Sequence, residues 1–141
     1  RTKAQARALV STTISSTSNQ AHTETARANS NILRGEQIIA TLDSHTSDVC
    51  ISADKTIWKV GEGPHPPLHY NCRSLRVMLV EKKYEIPGLG GTRASSSGQV
   101  SSNLSYRGWL KKQPKSVREQ VNIKKTYSLA ELAALEPVTF L

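Results

Sequence analysis

The stretch TLDSHTSDVCISADKTIWKVGEGPHPPLHYNCRSLRVMLV, residues 41–80, contains the features that decide the fold. Both cysteines of the chain, three of its four histidines and three of its six prolines lie in it. Apolar runs flank its middle at 38–42 and 75–80, and the prolines between them exclude a regular helix over residues 64–67. We therefore predict a small sheet around a loop-rich middle that is closed by a cross-link.

Three short strands are predicted in and around this stretch. Residues 36–42 are rich in β-branched side chains, residues 56–60 follow a turn at 53–55, and residues 75–80 form a nearly continuous apolar run. A strand that is apolar throughout is typically covered on both faces. The run 75–80 is therefore expected to be buried on both faces or to pack beneath the N-terminal helix.

The chain upstream of the strands predicts a long helix. Residues 1–33 contain neither glycine nor proline, and Gly35 follows where a helix often ends on a left-handed residue. We predict one helix or two consecutive ones. Serine and threonine are frequent from 11 to 25 and lower the helix propensity, so the helix is expected to need a partner surface. Its predicted packing face is narrow and mostly small: Val10, Ile14, Thr17, Ala21, Ala28 and Ile32.

The chain downstream of the strands predicts a linker and short helices. Residues 87–104 are rich in glycine and serine, which is typical of a flexible linker. One helix is predicted from Ser105 to before Pro114, and a second over 115–121 with Pro114 as its first residue. A capping box of Ser128 and Glu131 opens a third, which Pro137 ends.

These elements indicate an α+β fold in which an N-terminal helix packs on a small, loop-rich β core. Its four parts are a helical arm at 1–35, the β core with its Cys/His cluster at 36–86, the flexible linker at 87–104 and short basic helices at 105–141. With 141 residues, of which 37% are hydrophobic and 5% aromatic, the chain buries a modest core and is not a large enzyme.

The charge balance points to an acidic partner. Nineteen Lys and Arg against eleven Asp and Glu give a net charge of +8, which suits nucleic acid or a negative protein surface, and suits solvated basic arms equally well. No apolar run approaches the roughly 20 residues of a membrane helix, and no signal segment is present. We expect the chain to work in solution or in an assembly, with no membrane partner.

Cys50, His69 and Cys72 are the candidate metal ligands. Two thiolates and an imidazole suit the tetrahedral N/S sites of Zn²⁺, and we take Asp43 as the fourth ligand or the acceptor that orients His69, with His45, His65 or water as alternatives for the fourth position. Two other readings stay open: a Cys50–Cys72 disulfide, which would contribute roughly 3 kcal/mol, and two buried thiols beside an ordinary histidine.

A catalytic function is not predicted. A Cys-His nucleophile would need an orienting third group and an oxyanion site, and neither is identifiable. The His and Asp residues of this stretch lack a recognisable nuclease spacing, and Gly61-x-Gly63 leads into prolines instead of a phosphate-binding helix. We expect neither enzymatic activity nor a small-molecule substrate.

Basic residues gather in the C-terminal part around Trp109 and Leu110. We predict that these two dock as an apolar face and leave the cations toward DNA or an acidic protein. The cations are Lys111, Lys112, Lys115, Arg118, Lys124 and Lys125.

Three segments together resemble phage head-morphogenesis proteins of the kind typified by protein F of phage Mu. They are TLDSHTSDVC at 41–50, VGEGPHPPLHYNCR at 60–73 and SYRGWLKKQP at 105–114, the last similar to a Trp-Leu-x-x-Gln segment that often follows the core in this family. Relatives often have Cys-Arg-Cys where this chain has Cys72-Arg73-Ser74, and a second cysteine where it has Ser47.

The resemblance implies a structural minor head protein of a tailed phage. Such a protein enters the procapsid near the portal during assembly in the host cytoplasm, remains in the virion, and takes part in DNA packaging or ejection. Its expected partners are the portal protein or the major capsid protein, and viral DNA. A DNA-binding module of the virion and a metal-dependent hydrolase are the alternative functions.

Overall fold

A long helix opens the fold, in a computed structural model that describes residues 2–136 and 138. Helix α1 (Lys3–Ala28) begins at a capping box of Thr2 and Gln5. It is one continuous helix, which was one of the two predicted possibilities. It ends at Asn29, whose side-chain amide donates to the Thr25 carbonyl, 2.8 Å away. A 3₁₀ turn, Ser30–Ile32, then leads directly into the sheet.

The central sheet has three antiparallel strands in the order β2-β1-β3. They are β1 (Leu33–Ile39), β2 (Ile57–Trp58) and β3 (Leu75–Val80). The expectation that Gly35 ends the helix is wrong, because it lies within β1. A Cβ there would be 2.6 Å from the Trp58 carbonyl oxygen, so close strand approach requires the glycine.

The packing face predicted for α1 is also wrong. Val10 and Ile14 are 57% and 64% exposed, and the helix buries Thr12, Asn19, Thr23 and Ala26 instead. The Asn19 side chain accepts from the Arg76 amide (3.2 Å) and donates to the Ser74 carbonyl (3.4 Å). Polar side chains therefore attach α1 to the outer edge of β3, which an apolar-periodicity argument does not detect.

The segment 87–104 is not simply a linker. It contains a hairpin of β4 (Thr92–Ser95) and β5 (Gly98–Ser101), paired antiparallel. Arg93 is buried on it, and its guanidinium contacts the Asp54 carboxylate at 2.8 Å and donates to the Leu104 carbonyl at 2.8 Å and to the Ala40 carbonyl. This ion pair attaches the hairpin to the core, where the glycine and serine content predicted freedom.

The C-terminal helices complete the core. They are α3 (Tyr106–Lys111), α4 (Lys115–Gln120) and α5 (Leu129–Ala133), and the predicted capping box of Ser128 is confirmed. Tyr106 and Trp109 pack on Leu42 and Ile51, while Leu132 packs on Ile38 and Ala53. The expected end of α5 at Pro137 lies outside the described residues.

The structure thus has the predicted α+β class, with a long N-terminal helix, small antiparallel sheets and short C-terminal helices. Among the described residues, no helix combines the length and the apolar character that crossing a membrane requires.

Candidate metal centre

Cys50, His69 and Cys72 converge on one point, although they come from different parts of the chain. Cys50 lies on α2 (Asp48–Ala53), a short helix that the sequence did not predict, and the other two lie on the connecting loop, which we define as residues 59–74 between β2 and β3. The sulfurs are 3.8 Å apart, and His69 Nε2 is 3.2 Å from Cys50 Sγ. All three ligand atoms lie within 4.8 Å of one another, so the cluster could hold a metal ion.

The distances fit a tetrahedral cation better than a disulfide. A tetrahedral ion with Zn–S bonds of about 2.3 Å places two thiolate sulfurs about 3.8 Å apart, and the observed separation is 3.8 Å. A disulfide requires about 2.05 Å. In this structure both cysteines are free thiols, with exposures of 2% and 1%.

The His69 ring is oriented for ligation through Nε2. Its Nδ1 lies 2.8 Å from the Tyr70 carbonyl oxygen, which only accepts, so Nδ1 carries the proton and donates. Metal-bound histidines usually donate their second ring nitrogen to such an acceptor. The Nε2 lone pair therefore faces Cys50 Sγ and the Ser47 hydroxyl, whose oxygen is 2.9 Å away.

The two thiols differ in acidity. A hydrogen bond from Cys50, aided by His69, lowers the pKa of Cys72 in spite of its burial. The pKa of Cys50 is raised because it donates to Cys72 and is itself buried. Hydrogen bonding to Cys72 also raises the pKa of His69. Of the two thiols, Cys72 therefore loses its proton more readily, and the thiolate is the form that binds a metal ion.

Backbone geometry at Asn71 aims the two loop ligands. Its φ of 60° is left-handed, a conformation that asparagine tolerates better than most residues. Its amide donates to Thr12 Oγ1 of α1 at 2.7 Å. Helix α1 therefore holds the turn that separates His69 from Cys72.

A shallow pocket of about 20 Å³ opens beside the cluster. A single water needs about 10–15 Å³, so the pocket has room for one small ligand beside the cluster. His45, Ser47 and Ser74 line it together with Cys50 and His69. The Ser74 hydroxyl is buried next to Cys50. His45 is exposed and borders the pocket, but it does not belong to the cluster whose ligand atoms lie within 4.8 Å of one another.

Asp43 does not join the cluster, contrary to our choice of fourth ligand. The Arg73 guanidinium binds its carboxylate through both terminal nitrogens, and the His45 amide and Thr46 hydroxyl donate to it as well. Burial alone would raise the pKa of Asp43, but these hydrogen bonds lower it overall. Nor does Asp43 orient His69, because the Tyr70 carbonyl does. His65 contacts Thr23 and Gly61 instead.

A buried ion pair, which the sequence reasoning missed, holds the first half of the connecting loop. Glu36 and Arg76 are fully buried, with 2.7 Å between Glu36 Oε2 and Arg76 Nη2. The same guanidinium donates to the carbonyls of Pro64 (2.8 Å), Lys59 (3.3 Å) and Glu62, and the Gly61 amide donates to Glu36 Oε2 at 3.0 Å. The available signal was a single arginine, Arg76, within an otherwise apolar strand.

The predicted basic residues are exposed on the C-terminal helices and the segment between them. Lys115 and Lys125 pair with Glu119 and Glu131 at 3.6 and 3.1 Å. As predicted, Trp109 is buried and Leu110 packs against the same cluster. All six predicted cations are exposed: Lys111, Lys112, Lys115, Arg118, Lys124 and Lys125.

Comparison with known proteins leaves the site to be interpreted from its own geometry: no family model, curated protein or solved structure matches the chain.

Proposed function

We propose that the chain is a structural minor head protein of a tailed phage, in which Zn²⁺ bound by Cys50, His69 and Cys72 fixes the connecting loop to the core. The observation that carries the proposal is the convergence of two thiols and one oriented imidazole at tetrahedral spacing. When bound, the ion would supply a structural cross-link between α2 and the loop.

Contacts among the three segments with phage-like sequence support the proposal. Arg73 in the second segment pairs with Asp43 in the first. Tyr106 in the third donates its hydroxyl to the Asp43 carbonyl at 2.6 Å, and Trp109 packs with Leu42. Residues that are distant in sequence but belong to one motif set are thus in direct contact, as a shared structural role requires.

A structural role is favoured over hydrolysis by the size of the pocket. Three protein ligands and an open fourth position also occur in catalytic zinc sites. Here, however, the opening measures only about 20 Å³, and the nearby carboxylate of Asp43 is occupied by Arg73. A hydrolase would show turnover that chelation and a His69 substitution both abolish.

Metal analysis of protein prepared under reducing conditions tests the site. We expect one zinc per chain in the wild type and none in Cys72→Ser, with full occupancy kept in Ser96→Ala, which changes an exposed hairpin serine. Zinc-free wild-type protein that also fails to take up added zinc would contradict the metal proposal.

Mass spectrometry of purified phage heads tests the assembly role. A minor head protein should be present at few copies per head and cross-link to the portal or the major capsid protein. Complete heads that lack the chain would contradict this role, whatever the outcome of the metal analysis.

DNA binding is the second candidate, favoured by the six exposed cations near the C-terminus. A chain that neutralises phosphates binds duplex DNA more weakly as salt rises, with a slope set by the number of contacts. Replacing Lys111 and Lys112 by Glu should reduce affinity and flatten this slope, while Lys82 and Lys83 replaced by Glu serve as the charge-matched control. Equal losses in both double variants would indicate nonspecific attraction only.

A further inference from the structure

The two faces of the β1–β3 pair differ in how they are covered. Glu36, Ile38 and Arg76 lie on the inner face and are fully buried. The pairing register places Leu75, Val77 and Leu79 on the opposite, outer face, across from Ile39, Gln37 and Gly35. Three apolar side chains thus occupy alternate positions of one strand on the outer face.

A groove of about 560 Å³ lies over this outer face. The β4–β5 hairpin borders one side of it through Thr92, Arg93 and Ala94. Leu75 remains 43% exposed, and Ile57, which extends the same face from β2, is 53% exposed. An exposed apolar patch with a polar rim is typical of an interaction surface.

The continuous apolar character of β3 calls for a cover on both faces. The described part of the chain covers the outer face only in part: Gln37 is buried, Val77 and Leu79 are half-buried, and Leu75 is exposed. The outer face is therefore the side on which an additional layer would bury Leu75, Val77 and Leu79.

The charged side chains that line the groove favour an acidic partner. Arg34, Lys55 and Arg73 line the groove, and no Asp or Glu does. Lys55 Nζ donates to Gln37 Oε1 (3.2 Å) and the Ser102 carbonyl (2.8 Å), which leaves one of its three N–H donors for a ligand. Among the described residues, Lys55 has no carboxylate partner, in contrast to Arg34 with Glu85 and Arg73 with Asp43.

We propose that the outer face of β1 and β3 docks an acidic amphipathic helix of another protein. A helix is the usual second layer on a sheet face. Its apolar stripe would cover Leu75, Val77 and Leu79, and its flanking carboxylates would meet Lys55 and the rim arginines. A second copy of this chain fits poorly, because a two-fold contact would set the same three cations against one another.

Titration of the isotope-labelled full chain with two synthetic helices tests this proposal. Both helices carry a leucine stripe, flanked by glutamates in one and by lysines in the other. The glutamate helix should shift amide signals of β1 and β3 and bind at least roughly tenfold more tightly than the lysine helix. Equal binding of the two helices, or shifts centred on the exposed Leu9, Val10 and Ile14 of α1, would overturn the proposal.

A matched pair of variants locates the contact. Leu75→Asp and Leu89→Asp each replace an exposed leucine by one negative charge, but Leu89 lies in the loop before β4. We expect Leu75→Asp to weaken binding roughly tenfold or more, and Leu89→Asp by less than about twofold. Equal weakening by both would refute the docking site, as would duplex DNA that displaces the glutamate helix from these strands. If Leu75→Asp misfolds, two results on the wild-type chain decide whether the docking site exists: which amide signals shift, and which of the two helices binds more tightly.

Discussion

The two halves of the connecting loop are held by different chemistry. The first half, around Pro64, is attached through Arg76 and Glu36, which pair with each other and with loop carbonyls, although Glu36 Oε1 and Arg76 Nε have no hydrogen-bond partner among the described residues. The second half ends in His69 and Cys72, which face Cys50 with no covalent bond between them. The first attachment is an ion pair formed within the chain, whereas the second would be completed by the cation that we propose for this cluster. A loop with few apolar residues of its own is thus fixed at both ends by polar groups.

Of the changes considered, removing one member of the Glu36–Arg76 ion pair should lower the unfolding free energy most. Arg76→Met leaves Glu36 charged and unpaired in the interior, which costs about 3–5 kcal/mol of unfolding free energy. Denaturant unfolding measures this loss. Lys115→Met removes an exposed ion pair and should cost less than about 1 kcal/mol. Similar losses in the two variants would show that the buried pair does not anchor the loop.

Adding zinc should stabilise the protein through the second half of the loop. At about 100 times the dissociation constant, a ligand specific for the folded state raises the unfolding free energy by about 2.7 kcal/mol. His69→Ala should remove this increment, whereas His22→Ala, on α1, should keep it. Thermal unfolding with and without zinc provides the measurement. An increment that survives in His69→Ala would place the metal elsewhere.

As the pH is lowered, zinc should be released before the Glu36–Arg76 ion pair is lost. Burial alone would raise the pKa of Glu36, but hydrogen bonds from Arg76 and the Gly61 amide outweigh it, so its pKa lies below the ordinary value of 4.5. The ionised Glu36 carboxylate therefore makes its full contribution to the unfolding free energy above about pH 4.5. This contribution is lost as the pH falls through the folded-state pKa of Glu36, by at most about 1.4 kcal/mol per pH unit. Protons compete with metal for thiolate and imidazole, so zinc should leave at a higher pH.

Paired titrations of metal content and unfolding free energy detect these steps. Glu36→Gln should flatten the acid limb of the stability curve and leave the pH of zinc release nearly unchanged. Simultaneous loss of zinc and fold in the wild type would show that the two attachments form one unit.

The smallest effect is expected at Asp43. Its ion pair with Arg73 is partly exposed, so Asp43→Asn should cost about 1 kcal/mol or less. Because its carboxylate contacts Arg73 and lies outside the cluster, the zinc content should stay at that of the wild type. A fall in metal stoichiometry would restore Asp43 as a ligand.

Local sequence signals predicted the elements whose causes are local. The run at 75–80 coincides with β3, and Ser128 with Glu131 forms the predicted capping box. The convergence of Cys50, His69 and Cys72 was also predicted, because the proline-rich segment before His69 has few apolar residues and needs something besides burial to hold it against Cys50. The strand and the capping box needed only neighbouring residues, whereas the cluster was inferred from the spacing of its Cys and His residues.

Long-range polar contacts explain what the sequence did not reveal. Helix α2 contains Val49 and Ile51, which have modest helix propensity, and it is stabilised by packing against β1 and α3. The hairpin at 92–101 depends on Arg93 reaching Asp54, 39 residues away. The orientation of α1 depends on the hydrogen bonds of Asn19. No periodicity encodes partners at such separations.

Asn19 has a further consequence for solubility. Its side-chain amide offers the same donor and acceptor as a peptide group, and it satisfies the Ser74 carbonyl and Arg76 amide as a neighbouring strand would. Helix α1 thereby acts as a surrogate strand that shields β3 from edge-to-edge pairing with other chains. Asn19→Leu should therefore promote self-association detectable by light scattering. In the folded chain, the Asn19 side chain thus occupies two backbone groups at the start of β3 that a second strand would otherwise bind.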